Sequence, residues 1–401
     1  MKPLLLLALL SFSALAQELP GPVTINAAKY NTLQAAIDAV PATGGVVLIP
    51  PGNYEIETPL LVDTPETRII GSGAATHLIN RNESGEPAII LRPADVEQNP
   101  KARLWRVQLA DLRISGNPKS GDGLYAKFIE EIYLEGLSID HNGGNGIHLD
   151  HCYEDPRIAD SILTYNADCG LRILGCHDIV VNANHFEENQ DALVCVDSFN
   201  LCMNGNNIDD HLRHGVVIEN TYGSVLSGNM IEECNGTAII LDRDCYGITL
   251  SANVIAHHLQ GGIDLRDAWG CAVSANTFTI AHQFGVRVSG DSGRNTISAN
   301  NFCNTWIGGE DKRPAEGKTP MSIDEGTGVL LESGARNVVV SGNSFSGLSS
   351  PAVWSTGTCR SLIVTDNMLT DCGRKSGDRP WIDVTTEGPS SIKDNVEDHG
   401  E

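Results

Sequence analysis

One asparagine recurs along the second half of the chain at a nearly constant interval, each time between short apolar segments such as LSGNMI, LSANVI and VSANTF. The eight positions are Asn184, Asn206, Asn229, Asn253, Asn276, Asn300, Asn343 and Asn367. Successive members are 22 to 24 residues apart, except for one interval of 43 residues. A fixed period of this length is typical of repeat architectures, in which each repeat is one unit of a stack.

A second pattern has the same period and consists of a small residue followed by an aliphatic one. It recurs at Gly123-Leu124, Gly146-Ile147, Gly170-Leu171, Ala192-Leu193, Gly215-Val216, Ala238-Ile239, Gly262-Ile263, Gly285-Val286, Gly328-Val329 and Ala352-Val353. Both patterns have their one long interval between the same two repeats. We therefore expect a single insertion, roughly Asn304 to Gly326, which projects as a loop from an otherwise regular stack.

Each repeat contains short alternating segments, such as Gly-Ile-Asp-Leu-Arg, separated by Gly, Asn and Asp. This alternation predicts strands rather than helices. A unit of about 23 residues cannot bury its own apolar side, whereas stacked units form one continuous core. The sequence therefore predicts an all-β parallel β-helix, with about three short strands per turn and neighbouring turns about 4.8 Å apart. The recurrent asparagine is predicted to be structural, because a stacked asparagine ladder satisfies the polar groups of each turn.

The segment YNTLQAAIDAVPATGGVVLIPPGNY, residues 30–54, resembles the opening of right-handed β-helix proteins of the pectate-lyase superfamily. The likeness continues in IIGSGAATHLI, residues 69–79, and extends over nearly all of the chain that follows residue 16. It implies a right-handed solenoid, a single domain over residues 17–401, that is capped by a short amphipathic helix. The positions on the buried face of that helix would be Leu33, Ala36, Ile37 and Val40. The reaction is not implied, because this superfamily includes lyases, hydrolases, epimerases and binding proteins.

The first sixteen residues have the features of a secretory signal peptide. A lysine is followed by an apolar run from Leu4 to Leu10 and by the small-residue site Ala14-Leu15-Ala16. We expect cleavage after residue 16 and export to the periplasm or the extracellular space. No later stretch of about 18 apolar residues predicts a membrane span. The oligomeric state stays open.

Charge and cysteine content exclude several classes of partner and scaffold. The net charge of -24 argues against nucleic acid and anionic membranes as partners, because both require clustered Lys and Arg. It also disfavours a highly anionic polymer unless local arginines or a bound cation reverse the field. None of the spacings among the eleven cysteines is CxxC. We expect buried core thiols rather than a disulfide framework, because a chain of this size can form a sufficient core without disulfide bonds.

One sheet face carries a candidate catalytic patch. Side chains two and four residues after each small residue of the second pattern should point outward. These positions place Glu219, Asp242 and Arg266 on consecutive coils, with Asp264 and Arg287 beside them. Carboxylates one coil apart repel each other while arginines favour the ionised acid, so we expect the acids to differ in ionisation, as acid and base roles on a glycoside require. Ordinary surface ion pairs are the alternative interpretation.

A second candidate region precedes the same strands. The segments around Asp191 and His214 are similar in spacing to the Asp-Asp and Gly-His-Gly segments of polygalacturonases, although Gln190 replaces the first Asp and Arg213 the first Gly. The likeness implies catalytic roles for Asp191 and His214. Candidate substrate-binding residues are the outward-pointing side chains on earlier coils, the arginine before His214 and a tryptophan of the insertion that could serve as a sugar platform: His148, Arg172, Arg213 and Trp306.

The sequence thus predicts an exported carbohydrate-active enzyme that acts on a polysaccharide or oligosaccharide along this sheet face, as a hydrolase, lyase or epimerase. A calcium-dependent lyase would use Glu219, Asp242 and Asp264 as ligands and Arg266 or Arg287 as base, so Ca²⁺ is a cofactor candidate. The alternative is a non-catalytic glycan-binding or structural β-helix surface protein, which the aromatic content of only 5% favours.

Overall fold

Short parallel strands account for nearly all regular structure in the computed structural model, which describes residues 23–304 and 326–399. Buried and accessible side chains alternate along most strands, so one side of each strand faces the interior and the other faces outward. Each regular turn of the chain contributes three strands, and each pairs in parallel with its counterparts on the turns before and after. The predicted parallel β-helix is confirmed.

The strands form three stacks, which we call sheets A, B and C. Sheet A contains Leu60–Val62, Ile89–Leu91, Leu124–Lys127, Ile147–Asp150, Cys169–Leu174, Asp191–Val196, Val216–Glu219, Thr237–Asp242, Gly261–Leu265, Phe284–Val288, Thr327–Leu331, Val353–Thr365 and Ile382–Glu387. Sheet B contains Thr24–Asn26, Gly45–Leu48, Thr67–Ile70, Gln108–Ser115, Tyr133–Asp140, Arg157–Ala159, Val180–Asn182, Cys202–Asn204, Val225–Ser227, Thr249–Ser251, Ala272–Ser274, Thr296–Ser298, Arg336–Ser341 and Ser391–Lys393. Sheet C contains Gly52–Ile56, Thr76–Asn80, Ile162–Thr164, His185–Glu187, Asn207–Asp209, Met230–Glu232, Val254–Ala256, Thr277–Thr279, Asn301–Cys303, Ser344–Ser346, Met368–Thr370 and Val396–Asp398.

Three long strands turn corners between sheets. Gln108–Ser115 and Tyr133–Asp140 continue from sheet B into sheet C, and Val353–Thr365 continues from sheet A into sheet B. Two small pairs lie outside the three stacks: Leu104–Trp105 with Ile129–Glu130, and Cys245–Tyr246 with Ala268–Trp269.

A short helix, Leu33–Asp38, lies at the start of the solenoid, as predicted, after a 3-10 turn at Ala27–Lys29. The Thr32 hydroxyl caps this helix by accepting the Ala35 backbone N–H at 3.1 Å. Three of its four predicted apolar positions are buried, and Leu33 packs against the core while partly exposed.

The interior is one continuous cluster of apolar side chains that runs from Ile25 to Cys372. Like residues stack from coil to coil, as shown by Phe278, Phe302 and Phe345, whose ring centroids are 4.5 and 4.7 Å apart. The eleven cysteines are all free thiols, nine of them buried, so the expected core role is confirmed. Among the described residues, no helix has the length and apolar character needed to cross a bilayer.

The recurrent asparagines form a buried ladder at the corner between sheets B and C. Asn229 donates its side-chain amide to the Asn253 carbonyl Oδ1 at 2.9 Å and accepts the corresponding bond from Asn206. The same oxygens also accept backbone N–H groups of the preceding coil at 3.0 Å. The ladder therefore satisfies side-chain and backbone polar groups together, which confirms its predicted structural role.

A second buried ladder lies at the corner between sheets C and A, and the repeat pattern did not reveal it. It begins with Asn142, Asn166 and Asn189, then continues with His211, Cys234 and His258 in place of asparagine. The His258 imidazole accepts the Cys234 backbone N–H at 3.2 Å through Nδ1, and its Nε2 is 3.0 Å from a backbone carbonyl oxygen. Each histidine thus replaces an asparagine amide in a ladder of buried hydrogen bonds.

Sheet A continues without interruption across the predicted insertion, because Phe284–Val288 pairs directly with Thr327–Leu331. Residues 305–325, including Trp306, lie outside the described residues, as does the predicted signal peptide. The loop and the domain limits therefore stay predictions.

Replacing Asn229 with alanine should lower the free energy of unfolding by about 2–3 kcal/mol, because buried donors and acceptors on two neighbouring coils lose their partner. Urea unfolding followed by circular dichroism measures this loss. Asn235, exposed on the same coil, provides the control, and Asn235→Ala should change stability by less than about 0.5 kcal/mol. Equal effects of the two variants would contradict the role of the ladder.

Acid should destabilise the fold through the second ladder. Burial lowers the pKa of His211 to about 4 and that of His258 to about 3, whereas unfolded histidine titrates near pH 6.5. The unfolded chain therefore binds more protons below that pH, and stability should fall as the pH is lowered from about 6.5, by up to about 1.4 kcal/mol per pH unit for each histidine. Changing both histidines to asparagine should flatten this slope between pH 6.5 and 5 in urea titrations; an unchanged slope would show that other groups cause it.

Candidate active site on sheet A

The outward face of sheet A contains a groove of about 240 Å³ that spans several successive coils. Its lining residues come from both regions singled out in the sequence: Asp168, Cys169, Arg172, Asp191, Val194, Arg213, His214, Val217, Glu219, Ile240 and Arg266. The structure thus joins the charged patch and the segments around Asp191 and His214 into one site. Strand register produces this, since Val196, Glu219 and Asp242 are direct neighbours on consecutive coils.

Apolar side chains form the floor of the groove. Val194 and Val196 pack with Cys169 in a small cluster outside the main core, and Val217 lies against it. Ile240, one coil further, is only 1% exposed. The surrounding long polar side chains therefore exclude water from this strip, which strengthens electrostatic interactions at its rim.

Asp191 is a fully buried residue at the edge of the groove. Its carboxylate accepts the Arg213 Nε–H at 2.9 Å and a second bond from the Arg213 Nη2, and it also accepts the backbone N–H of His214 at 2.9 Å. Because its carboxylate is inaccessible and already accepts these bonds, we interpret Asp191 as a residue that positions Arg213, whose side chain is half exposed in the groove.

His214 faces the groove as a neutral hydrogen-bond donor. Its Nδ1 accepts the Thr237 backbone N–H at 3.0 Å, so the ring proton must reside on Nε2. Burial lowers the pKa of His214, and the nearby Arg213 and Arg266 act in the same direction. A second proton would also break the bond from Thr237. The imidazole can therefore donate to an oxyanion or a carboxylate while carrying no charge itself.

Asp264 is bound by two arginines and is fully inaccessible. Its carboxylate accepts the Arg266 Nε–H at 2.7 Å and the Arg287 Nε–H at 2.8 Å. The expectation of a solvated surface carboxylate at this position is therefore wrong, because the two guanidinium groups cover it. Asp264 fixes the directions of Arg266 and Arg287.

Glu219 and Asp242 are the more accessible acids of the predicted patch. Glu219 accepts a 2.6 Å bond from Arg243, and the Asp242 carboxylate lies 3.8 Å from the Arg266 guanidinium. Arg266 therefore stands between Asp242 and Asp264. In the part of the chain that the structure describes, these two acids and Glu219, the ligands of the calcium-dependent candidate mechanism, do not form a group of three within reach of one ion. The alternating pattern did not identify Arg243, because this residue follows the end of the strand. Its positive φ of 55° takes it out of the alternation.

Two charged side chains in the groove lack an ionic partner. Among the described residues, no carboxylate lies within 4.0 Å of the Arg172 guanidinium, and Asp168 has no basic group within that distance. The Asp168 carboxylate accepts a hydrogen bond from the neighbouring Cys169 thiol at 3.6 Å. These two groups keep their full charge available to a ligand, and Asp168 was not among the predicted site residues.

A set of titratable side chains extends the site toward the N-terminal coils. His148, in register with Arg172, packs edge-on against Tyr125 at 5.1 Å and lies 3.3 Å from a carboxylate oxygen of Asp122. The Tyr125 hydroxyl donates to Asp150 at 2.6 Å. His148 thus lies on the predicted face, although it does not line the groove itself.

Two family models match parts of the chain. One, described as right handed beta helix region, matches residues 101–221, and the other, described as periplasmic copper-binding protein (NosD), matches residues 170–312. The hand implied by the resemblance is thereby confirmed: the chain is a right-handed parallel β-helix similar to the pectate-lyase superfamily. A search of curated proteins by sequence finds no match.

Solved structures of similar fold include several enzymes whose names describe polysaccharide substrates. The A-module of Azotobacter vinelandii mannuronan C-5 epimerase AlgE6 is 16% identical, with a TM-score of 0.54 over 94% of this chain and 100% of that one. The family 28 exopolygalacturonase of Yersinia enterocolitica is 13% identical, with a TM-score of 0.61 over 94% and 79%. The catalytic domain of a GH87 α-1,3-glucanase is 9% identical, with a TM-score of 0.60 over 94% and 70%. At these identities the likeness shows the fold alone.

Substituting Asp264 with asparagine should cost about 3 kcal/mol of unfolding free energy, because two guanidinium groups lose their buried counter-charge. Asp242→Asn is the matched control and should cost at most about 1 kcal/mol, since its side chain is 31% exposed and has one distant arginine. Urea denaturation at pH 7 compares the two variants. A smaller loss for Asp264→Asn than for Asp242→Asn would contradict the buried bridge.

Proposed function

We propose that this chain is an exported enzyme that processes an anionic polysaccharide in the groove of sheet A. The observation that supports this most directly is that the Arg172 guanidinium, without an ionic partner among the described residues, and the neutral His214 donor both line one groove with a largely buried apolar floor. Such groups bind a carboxylate or a developing oxyanion, and they do so most strongly where water is excluded. The groove is lined by three arginines and three carboxylates, so the excess negative charge of the whole chain is balanced locally.

The shape of sheet A suits an extended polymer. From Tyr125 to Arg287, equivalent outward positions repeat on eight consecutive coils, which corresponds to a length of roughly 34 Å at the usual strand spacing. A glycan laid parallel to the solenoid axis would contact Arg172 and His214 near the middle and Arg266 further along. The fold similarity to enzymes named for polysaccharide substrates supports a glycan as the ligand, and the partial match to a periplasmic family supports export.

The charge distribution favours a reaction that begins with removal of a proton next to a uronate carboxylate. The Arg172 guanidinium would neutralise that carboxylate, and a hydrogen bond from the neutral His214 imidazole would help to stabilise the negative charge that spreads onto it. Asp168, the carboxylate without an ionic partner, is the candidate base. Expulsion of the adjacent glycosidic oxygen would then complete a lyase reaction, whereas return of a proton to the opposite face would complete an epimerisation.

Hydrolysis is the alternative reaction, with Glu219 and Asp242 as the carboxylate pair. Both acids are already paired with arginines, Glu219 with Arg243 at 2.6 Å and Asp242 with Arg266 at 3.8 Å, so neither is free to approach a leaving group without losing its ion pair. The geometry therefore supports proton abstraction better than hydrolysis.

Copper binding is a second candidate function, because the description of the family that matches residues 170–312 names it. Thiolate ligands do not fit, since nine of the cysteines are buried, and burial raises the pKa of the Cys195 thiol to about 12. Copper(II) also accepts imidazole and carboxylate ligands. One group of that type is present among the described residues, at Glu232, Glu233 and His257.

Incubation of the protein with polyuronates in D₂O tests the main proposal. For an epimerase we expect inverted sugars that carry deuterium at the carbon next to the carboxylate. For a lyase we expect unsaturated ends without deuterium at that carbon, because it becomes part of the new double bond. Neutral glucans should give neither product. Arg172→Ala and Asp168→Asn should each lower kcat/KM at least about a hundredfold. Arg157→Ala, which removes an exposed arginine of sheet B, should leave the rate unchanged.

New reducing ends without unsaturated ends or inverted sugars would replace this mechanism with hydrolysis. Binding of the polyuronate without any turnover would favour the non-catalytic alternative. If Arg157→Ala and Arg172→Ala lowered kcat/KM equally, the groove of sheet A would not be the active site.

A further inference from the structure

We propose that Glu232, Glu233 and His257 form a binding site for a divalent transition-metal ion of the zinc and copper class. The site lies at the corner where sheet C ends, on the coils that carry Thr237–Asp242 and Gly261–Leu265 of sheet A. The ligand atoms of the three side chains all lie within 4.8 Å of one another. This site rests on its own geometry and requires no turnover in the groove; it gives the second candidate function a specific set of ligands.

The position of the His257 imidazole is the main observation. The residue is only 8% exposed, and its Nδ1 is buried without a hydrogen-bond partner. That nitrogen nevertheless lies 3.1 Å from the Glu232 Oε1 and 3.8 Å from the Glu233 Oε1. A buried polar atom is normally hydrogen-bonded, so a close approach without a hydrogen bond needs another explanation.

Two side-chain atoms that bind the same metal ion lie close together in this way without a hydrogen bond between them. Ligand atoms about 2.0–2.2 Å from an ion in tetrahedral geometry are separated by roughly 3.3–3.5 Å, with no hydrogen bond between them. The separations of 3.1 and 3.8 Å from His257 to the two glutamates bracket this value. An ion between the three side chains would give the orphaned nitrogen its partner.

Strand register explains why the three side chains meet. Glu232 ends one strand of sheet C and is in register with Ala256, whose side chain is too small to fill the space beside it. Glu233 and His257 follow these two residues and have positive φ angles of 50° and 61°. Because the left-handed turn interrupts the alternation of the strand, two consecutive glutamates can approach the same imidazole.

The surroundings of the cluster attract a cation. Glu187 and Asp209 occupy the equivalent strand positions on the two preceding coils. Stacked carboxylates repel one another, and a divalent ion would relieve this repulsion.

The ligand set selects the class of metal. An imidazole nitrogen with two carboxylates suits Zn²⁺ or Cu²⁺, whereas Ca²⁺ and Mg²⁺ prefer oxygen ligands alone. Three protein ligands leave one position of a tetrahedral ion for water or for a group of another molecule.

Calorimetric titration of the chelator-treated, full-length protein with Zn²⁺ and with Cu²⁺ tests the site. We expect one equivalent of either ion to bind, and Ca²⁺ and Mg²⁺ to bind at least a hundredfold more weakly. Glu232→Gln and His257→Asn should each weaken binding at least tenfold; asparagine is chosen because it tolerates the left-handed backbone at residue 257. The electron paramagnetic resonance spectrum of bound Cu²⁺ should show nitrogen coupling that His257→Asn abolishes.

His185→Asn provides the matched control, because His185 lies 3.2 Å from Glu187 on the same sheet without a third ligand. It should bind metal as the wild type does, and so should the groove variant Arg172→Ala. Circular dichroism confirms that each variant is folded. If the wild type binds no Zn²⁺ or Cu²⁺, or if His257→Asn and Glu232→Gln bind them unchanged, the contact is a simple ion pair and the proposal is overturned, whatever the glycan assays show.

Discussion

Register between coils is the constraint on which the rest of this structure depends. A turn of the solenoid has no core of its own, and it becomes stable only when like residues lie above like residues. The asparagine ladder enforces this condition, since each amide bonds the next amide and a backbone N–H at once. The same register places Glu219 beside Asp242 and Asp264 beside Arg287, so the functional surface follows from the rule that builds the core.

The solenoid could be predicted from the sequence because its stabilising residues repeat. The period of Asn184 to Asn367 and the small-aliphatic pairs predicted the parallel β-helix and the outward positions. The helical cap was implied by the resemblance of residues 30–54 to the pectate-lyase superfamily. Side-chain contacts do not repeat in this way. Nothing in the spacing shows that Asp264 is covered by two arginines, or that Asp191 bonds inward to Arg213, because both depend on side-chain direction. Arg243 and His257 were missed because each follows a strand at a left-handed turn, where alternation ends.

The proposed site illustrates how a strongly acidic chain can receive an acidic polymer. Buried acids, Asp191 and Asp264, hold Arg213, Arg266 and Arg287 in fixed directions, while Arg172 keeps its charge unopposed among the described residues. Pre-oriented cations above an apolar floor stabilise a bound anion without reorganisation at the moment of binding. The acids that lower the net charge of the chain are thus partly the supports of its anion-binding groove.

The most direct measurement is the crystal structure of the protein with a bound oligouronate. The account predicts a sugar chain along sheet A, parallel to the solenoid axis, with one carboxylate in contact with both the Arg172 guanidinium and the His214 Nε2. An oligosaccharide bound to another face, or one in the groove whose carboxylates avoid Arg172, would contradict it.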